Sequence, residues 1–149
     1  MIISNISVEL KVVADVYIAL KASAWSVKGT KFINLTPHVL DLHLRSGEVV
    51  QIENATLVCD NKERVFATTA NLPRIDVEET EVTEDDSIRT FVSKLGAPKN
   101  VPMPQSGCMY VVSALFAQAM REQGRTDFVT VHPVRKDGKI VGCDGFCLS

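Results

Sequence analysis

The sequence predicts an α+β fold, in which one main C-terminal helix packs on a mixed, mostly antiparallel sheet and an N-terminal helix precedes it. Three observations lead to this fold class. Short apolar stretches separated by turn residues recur from Lys31 onward. A strand-like run leads directly into helix-forming residues near position 113. Apolar residues also recur at helical spacing before position 23. One sheet covered by its helix would enclose a single hydrophobic core.

The first segment, Ser7–Ser23, has the pattern of an amphipathic helix, with Ser7 as its N-cap. Four apolar residues form its stripe: Leu10, Val13, Tyr17 and Leu20. The following stretch, Ser26–Thr30, contains Gly29 and predicts a linker. We therefore expect residues 1–30 to be an N-terminal helical extension with its linker, and residues 31–149 to be a single α+β domain.

From Lys31 the pattern becomes that of short strands. Arg45–Glu48 is a turn between two strand candidates, which predicts a hairpin. A second polar turn is predicted at Asp60–Glu63, and Gly96–Gly107, with three prolines, is predicted to be a loop. The strand candidates of this region are residues 32–35, 39–44, 49–52, 56–59, 65–69 and 88–92.

The segment Asp76–Asp86 is strongly acidic, with Val77 and Val82 as its apolar residues. Its charge is typical of an exposed edge strand or loop that resists edge-to-edge pairing. The alternative is an acidic surface that binds a basic partner.

A buried strand at Tyr110–Val112 leads into a helix that begins after Ser113 and covers 114–123. The next strand candidate, residues 127–132, is predicted to end at Pro133. Beyond it, Asp137-Gly138 predicts a tight hairpin turn. Only the two strands that flank the helix could run parallel.

Composition excludes several classes of protein. With 149 residues, 46% hydrophobic and 23% charged, the chain is long enough for one packed domain. A net charge of −2 and aromatics at only 6% disfavour nucleic-acid binding. No apolar run approaches the roughly 20 residues that span a bilayer, and charged residues interrupt the N-terminus where a secretion signal would be apolar. We expect a soluble protein of the cytoplasm.

The cysteines indicate neither a disulfide framework nor a metal site. A cytoplasmic chain keeps its thiols reduced, and no second closely spaced Cys or His pair accompanies the C-terminal pair. We expect small buried thiols, with no metal and no cofactor. The four residues are Cys59, Cys108, Cys143 and Cys147.

Three sequence blocks together resemble a family of small, largely uncharacterised bacteriophage and prophage proteins. The blocks are Phe32–His38, Pro102–Ser113, and Arg125–Phe128 followed by Val134–Cys143. Their order and spacing agree with the family over most of the chain, from about residue 31 to residue 146. The resemblance implies viral or prophage origin and a role inside the infected bacterium, with residues 1–30 as an extension. It implies no activity and no catalytic residue.

Candidate binding residues lie in two loops. Asn34, Thr36 and His38 stand where a strand meets a proline turn, so they either cap that turn or contact a ligand. Gly107 either permits a tight turn or lets the backbone approach a ligand closely.

A second candidate group surrounds the start of the main helix. Ser113 is either only the helix N-cap or part of an anion site formed with the free backbone amides there. Arg125 and Arg135 would complete that site if either guanidinium pointed toward it. Alternatively, Arg125 pairs locally with Asp127, and Arg135 is a solvated hairpin residue.

Two functions follow from these candidates. The first is a non-enzymatic phage accessory protein that binds a host factor or sequesters a small anionic, nucleotide-like ligand. The second is a small hydrolase or transferase that uses His38, Cys108 or Asp127, which requires these side chains to converge in one cleft. Self-association into a homo-oligomer stays open.

Overall fold

A computed structural model describes residues 3–11, 17–58, 64–66, 72–85 and 87–148 of the chain. Within these residues the fold is mostly β, with a single helix. The first seven strands are β1 (Ile3–Lys11), β2 (Tyr17–Val27), β3 (Thr30–Asn34), β4 (Leu40–His43), β5 (Val49–Ile52), β6 (Thr56–Val58) and β7 (Arg64–Phe66). The remaining elements are β8 (Arg74–Glu81), β9 (Phe91–Lys99), β10 (Val101–Pro102), β11 (Cys108–Val111), α1 (Ala114–Glu122), β12 (Phe128–Lys136) and β13 (Lys139–Leu148).

The strands form one large sheet and one separate hairpin. The large sheet has the order β10-β1-β2-β3-β11-β12-β13-β4-β5, with β6 attached to β2 and β7 to β6. Strand β5 returns close to β2, which gives a nearly closed, barrel-like sheet. Strands β11 and β3, β11 and β12, and β13 and β4 pair in parallel, and the other pairs are antiparallel. Strands β8 and β9 form the hairpin.

The predicted α+β class with two helices is wrong, because the N-terminal segment forms strands. Ser7, the expected N-cap, lies inside β1 opposite Lys21 of β2. Burial in β2 follows a period of two: Leu20, Ala22 and Ala24 are buried and the residues between them are partly exposed. This alternation is that of a strand with one face on the core. The apolar stripe predicted a helix incorrectly because its residues belong to two strands, Leu10 to β1 and Tyr17 and Leu20 to β2. Its fourth residue, Val13, lies outside the described residues.

The expected linker at Ser26–Thr30 is a tight turn between β2 and β3. Lys28 and Gly29 both have positive φ, 49° and 83°, as two-residue hairpin turns require. Strand β2 then pairs with β3, Ala24 lying opposite Ile33. The described residues of this segment, 3–11 and 17–30, therefore belong to the sheet.

Other local predictions met mixed outcomes. The hairpin of β4 and β5 is confirmed, as is the Asp137-Gly138 turn, whose φ values are 52° and 78°. Pro133 does not end its strand: β12 continues past it through a register shift, where a missing N–H is tolerated. Strand β9 occupies the first part of the expected 96–107 loop. The predicted turn at 60–63 and residues 67–69 lie outside the described residues.

The core lies on both sides of β11, as the apolar run at 110–112 predicts. Tyr110 and Val112 face the larger cluster, into which α1 inserts Phe116 and Met120. Val111 faces the second cluster, formed mainly with residues of β4, β12 and β13. A strand buried on both faces needs a continuous apolar sequence, which explains why this stretch does not alternate.

Tyr110 gives the fold an alkaline limit. Its hydroxyl donates to the carbonyl of Met103 in the core, and burial, aided by nearby Cys108 and Asp127, raises its pKa to about 12. A raised folded-state pKa contributes stability below the ordinary value of about 10, and this contribution is lost as pH rises toward 12. We expect the wild-type urea midpoint to fall between about pH 8 and pH 11 more steeply than that of Tyr110→Phe. Equal slopes would contradict this assignment.

Candidate functional site

A cavity of about 500 Å³ lies between the start of α1, the loop from β3 to β4, and the start of β8. Most of its wall is apolar, formed mainly by Leu35, Leu40, Leu72, Ile75, Val112 and Val131. Its polar lining consists of Thr36, His38, Arg74, Ser113 and Thr130. The volume and the few polar groups in an apolar wall are typical of a small-molecule site.

Asn34 builds the loop that forms one wall of this cavity. The side chain is completely buried, and its amide nitrogen donates to the carbonyls of His38, Ile52 and Glu53 at 2.8, 3.2 and 3.2 Å. Its Oδ1 accepts from the amide and hydroxyl of Thr36 at 3.0 and 2.7 Å. Of the two roles considered for Asn34, these contacts are those of turn capping. Both the amide nitrogen and the oxygen of Asn34 are engaged by the loop, and the residue is not among those that line the cavity. Asn34 therefore positions the loop and does not contact the cavity itself.

Thr36 and His38 are held on the cavity rim by this network. The Thr36 hydroxyl donates to Asn34 Oδ1, and its oxygen accepts a hydrogen bond from the amide of His38 at 3.4 Å. The His38 carbonyl is bound by Asn34, whereas its exposed side chain lines the cavity. The loop thus offers an imidazole on a fixed backbone.

Ser113 is the N-cap of α1, as predicted. It has extended backbone angles, φ −65° and ψ 154°, and its hydroxyl accepts from the amide of Phe116 at 3.4 Å. The amides of Ala114 and Leu115 lie in the first turn, where the helix has no carbonyl for them. Both residues are exposed. The start of α1 therefore presents backbone donors and a positive dipole end at the cavity.

Arg74 is a cation among the residues that line the cavity, and no sequence pattern marks it. Its Nε is buried and has no hydrogen-bond partner among the described residues. One terminal nitrogen lies 3.6 Å from Asp76. Asp76 is held more closely by Lys99 at 2.8 Å, and this bond, with the nearby Arg74, keeps the pKa of Asp76 below its ordinary value. A buried guanidinium N–H without an acceptor is unusual in a folded protein.

The two predicted arginines lie away from this cavity. Arg125 follows α1, so the helix length of about 13 Å separates it from Ser113. It forms a fork with Asp127 at 2.8 and 2.6 Å, donates to the Pro102 carbonyl, and covers the ring of Phe128. The start of β12 lies beside Ser113, because the amide of the preceding residue, Val112, donates to the carbonyl of Val129. Arg135 is six residues farther along β12, which places it roughly 20 Å from Val129. Neither guanidinium is grouped with Ser113.

Gly107 lies at the other end of β11 from Ser113. Its φ is +73°, its carbonyl accepts from Lys31, and a Cβ there would lie 3.3 Å from the carbonyl oxygen of Gly29. These contacts give it a turn-forming role. It does not line the cavity.

The residues of the enzymatic alternative are not brought together. His38 lines the cavity, whereas Cys108 is buried at the start of β11 and Asp127 is engaged by Arg125. Cys143 is also buried, which raises the pKa of its thiol; Cys59 lies outside the described residues. Across the part of the chain that the structure describes, no three His, Cys, Asp or Glu residues are grouped as metal ligands.

No protein-family model, curated protein or solved structure matches this chain. Within the described ranges, no helix has the length and apolar character needed to cross a bilayer.

Proposed function

We propose that this protein is a non-enzymatic phage or prophage accessory protein that binds a small anionic ligand in the cavity beside α1. The observation that carries the proposal is Arg74, a cation among the residues that line an otherwise largely apolar cavity. Its side chain is 38% exposed, and its ion pair with Asp76 is a long contact of 3.6 Å. Because the pairing with Asp76 is long, the accessible part of the guanidinium keeps donors that an anion can accept from.

The ligand that fits has an apolar or flat aromatic body and one anionic group. The apolar wall would bury the body, with a gain of about 25 cal/mol per Å² of apolar surface. Arg74 would bind the anion through a charge-assisted hydrogen bond. The first-turn amides of α1 add donors and a favourable dipole. Thr36, His38 and Thr130 supply the polar contacts that fix orientation.

The biological setting of the proposal is supported by the sequence resemblance alone. The blocks that resemble small phage and prophage proteins, such as Phe32–His38, favour action in the cytoplasm of an infected bacterium. Sequestering a host metabolite and binding a host protein are both compatible with that setting. The cavity favours the small ligand, because it is concave and a cation, Arg74, is among its lining residues.

Arg74→Met tests the role of the cation. We use two matched probe pairs, adenosine monophosphate with adenosine and octanoate with octanamide, measured by titration calorimetry. In the wild type, the charged member of at least one pair should bind about tenfold or more tighter, because a charge-assisted hydrogen bond contributes about 1.5–3 kcal/mol. Arg74→Met should abolish that preference and leave the neutral probe unaffected.

Arg89→Met is the matched control. Arg89 lies on the same hairpin, is 70% exposed and pairs with Glu81 outside the cavity. It should retain the charge preference. The proposal fails if neither pair binds the wild type, or if the preference survives in Arg74→Met.

A further inference from the structure

The hairpin of β8 and β9, residues 74–99, carries apolar side chains that the rest of the fold leaves exposed. We call it the acidic hairpin. Val77 lies opposite Leu95 on one face, and Val92 lies opposite Thr80 on the other. Although α1 lies near both strands, six large apolar side chains remain 43–71% exposed: Val77, Val82, Ile88, Phe91, Val92 and Leu95.

A two-stranded hairpin with two exposed apolar faces is marginally stable without a partner. Clustered exposed apolar residues of this kind mark an interaction surface. The hairpin's charge indicates the kind of partner. Glu81 is paired with Arg89 and Asp76 with Lys99, whereas Glu79 and Glu84 have no ion-pair partner among the described residues. The surface is therefore apolar with unneutralised negative charge.

The same chain carries a surface of the opposite charge on the hairpin of β12 and β13. We call residues 135–141, which join β12 to β13, the basic tip. Its cations are Arg135, Lys136 and Lys139, against a single acid, Asp137. Ile140 and Val141 beside them are 62% and 42% exposed. Both surfaces therefore expose apolar side chains, but the basic tip is positively charged and the acidic hairpin is negatively charged.

We propose that the acidic hairpin of one copy binds the basic tip of a second copy of this chain. Electrostatic complementarity would align the two hairpins, and burial of their apolar side chains would hold them together. Two such contacts made reciprocally close a two-fold dimer, and a contact made in one direction extends to a longer assembly. This self-association is independent of ligand binding in the cavity.

Charge exchange between the two surfaces tests the proposal. One variant carries Glu79→Lys and Glu84→Lys, and the other carries Lys136→Glu and Lys139→Glu. All four side chains are exposed, so the folded state should be retained. Light scattering and sedimentation velocity on the full chain, at about 20 mM and about 500 mM salt, give the association constant with weak and strong screening.

We expect the wild type to associate, more weakly at high salt, and each double variant to associate at least about tenfold more weakly, because like charges then face each other. An equimolar mixture of the two variants should recover association, since every reversed charge again meets its opposite. A control with the same change in net charge as the acidic-hairpin variant, Glu48→Lys with Glu122→Lys, should behave as the wild type.

Three results would overturn the proposal. The first is a wild type that stays monomeric at high concentration in low salt. The second is that both double variants associate as strongly as the wild type, and the third is that their mixture fails to recover association. A monomeric chain whose acidic hairpin retains a different basic protein would also overturn it, because the occupant would then not be a second copy.

Discussion

Asn34→Asp is expected to lower the free energy of unfolding by about 3 kcal/mol or more. The substitution keeps the shape and the oxygen that Thr36 binds, but it removes the amide donor. Three carbonyl oxygens, those of His38, Ile52 and Glu53, would then face a buried carboxylate. An unpaired buried acceptor costs about 1–3 kcal/mol, and a buried charge costs more.

Urea unfolding at neutral pH measures this effect, and Asn5→Asp is its control. Asn5 is exposed and uses only its oxygen, which accepts from Ser23 at 3.3 Å. The same chemical change at that position should stay within about 0.5 kcal/mol of wild type. A loss below about 1 kcal/mol in Asn34→Asp would show that the network is not what holds the loop.

Gly142→Ala is expected to destabilise the fold by about 2 kcal/mol, within the range for overpacked sites. A Cβ at Gly142 would lie 2.5 Å from His43 Nε2 and 2.7 Å from the carbonyl oxygen of Asp41. The imidazole can rotate away, but the carbonyl belongs to the backbone of β4. Strands β4 and β13, which pair at Leu42 and Cys143, would therefore have to separate.

Gly145→Ala on the same strand is the control for Gly142→Ala. A Cβ at Gly145 meets nothing within 4 Å. Thermal unfolding should show a melting temperature several degrees lower for Gly142→Ala, at about 2–4 °C per kcal/mol, and little change for Gly145→Ala. Equal melting temperatures for the two variants would contradict the steric account.

The sequence predicted the features that depend on neighbouring residues. The Ser113 cap, the strand before it and the Asp137-Gly138 turn each follow from a few adjacent side chains. The N-terminal helix was wrong because alternation in β2 relies on alanines, Ala22 and Ala24, which are good helix formers. Pairing with β3 decided the outcome, and tertiary pairing routinely overrides such local propensity.

The cavity was only partly predictable for the same reason. Thr36, His38 and Ser113 come together because β3 and β11 are parallel neighbours, so the segments that follow them meet at one edge. Arg74 reaches that edge from a distant part of the chain, and nothing in its sequence surroundings marks it. Arg125, which the sequence offered either for this site or for a local pair with Asp127, makes that pair at the opposite end of the helix.

The most direct test of the central claim is the NMR signal of the Arg74 side-chain Nε–H, followed during titration with the charged probe that binds most tightly. The claim predicts a large downfield shift of that signal as the guanidinium gains an anionic partner, with accompanying shifts at the amides of Ala114 and Leu115. A signal that stays in place while the probe shifts residues elsewhere, such as the basic tip, would contradict it.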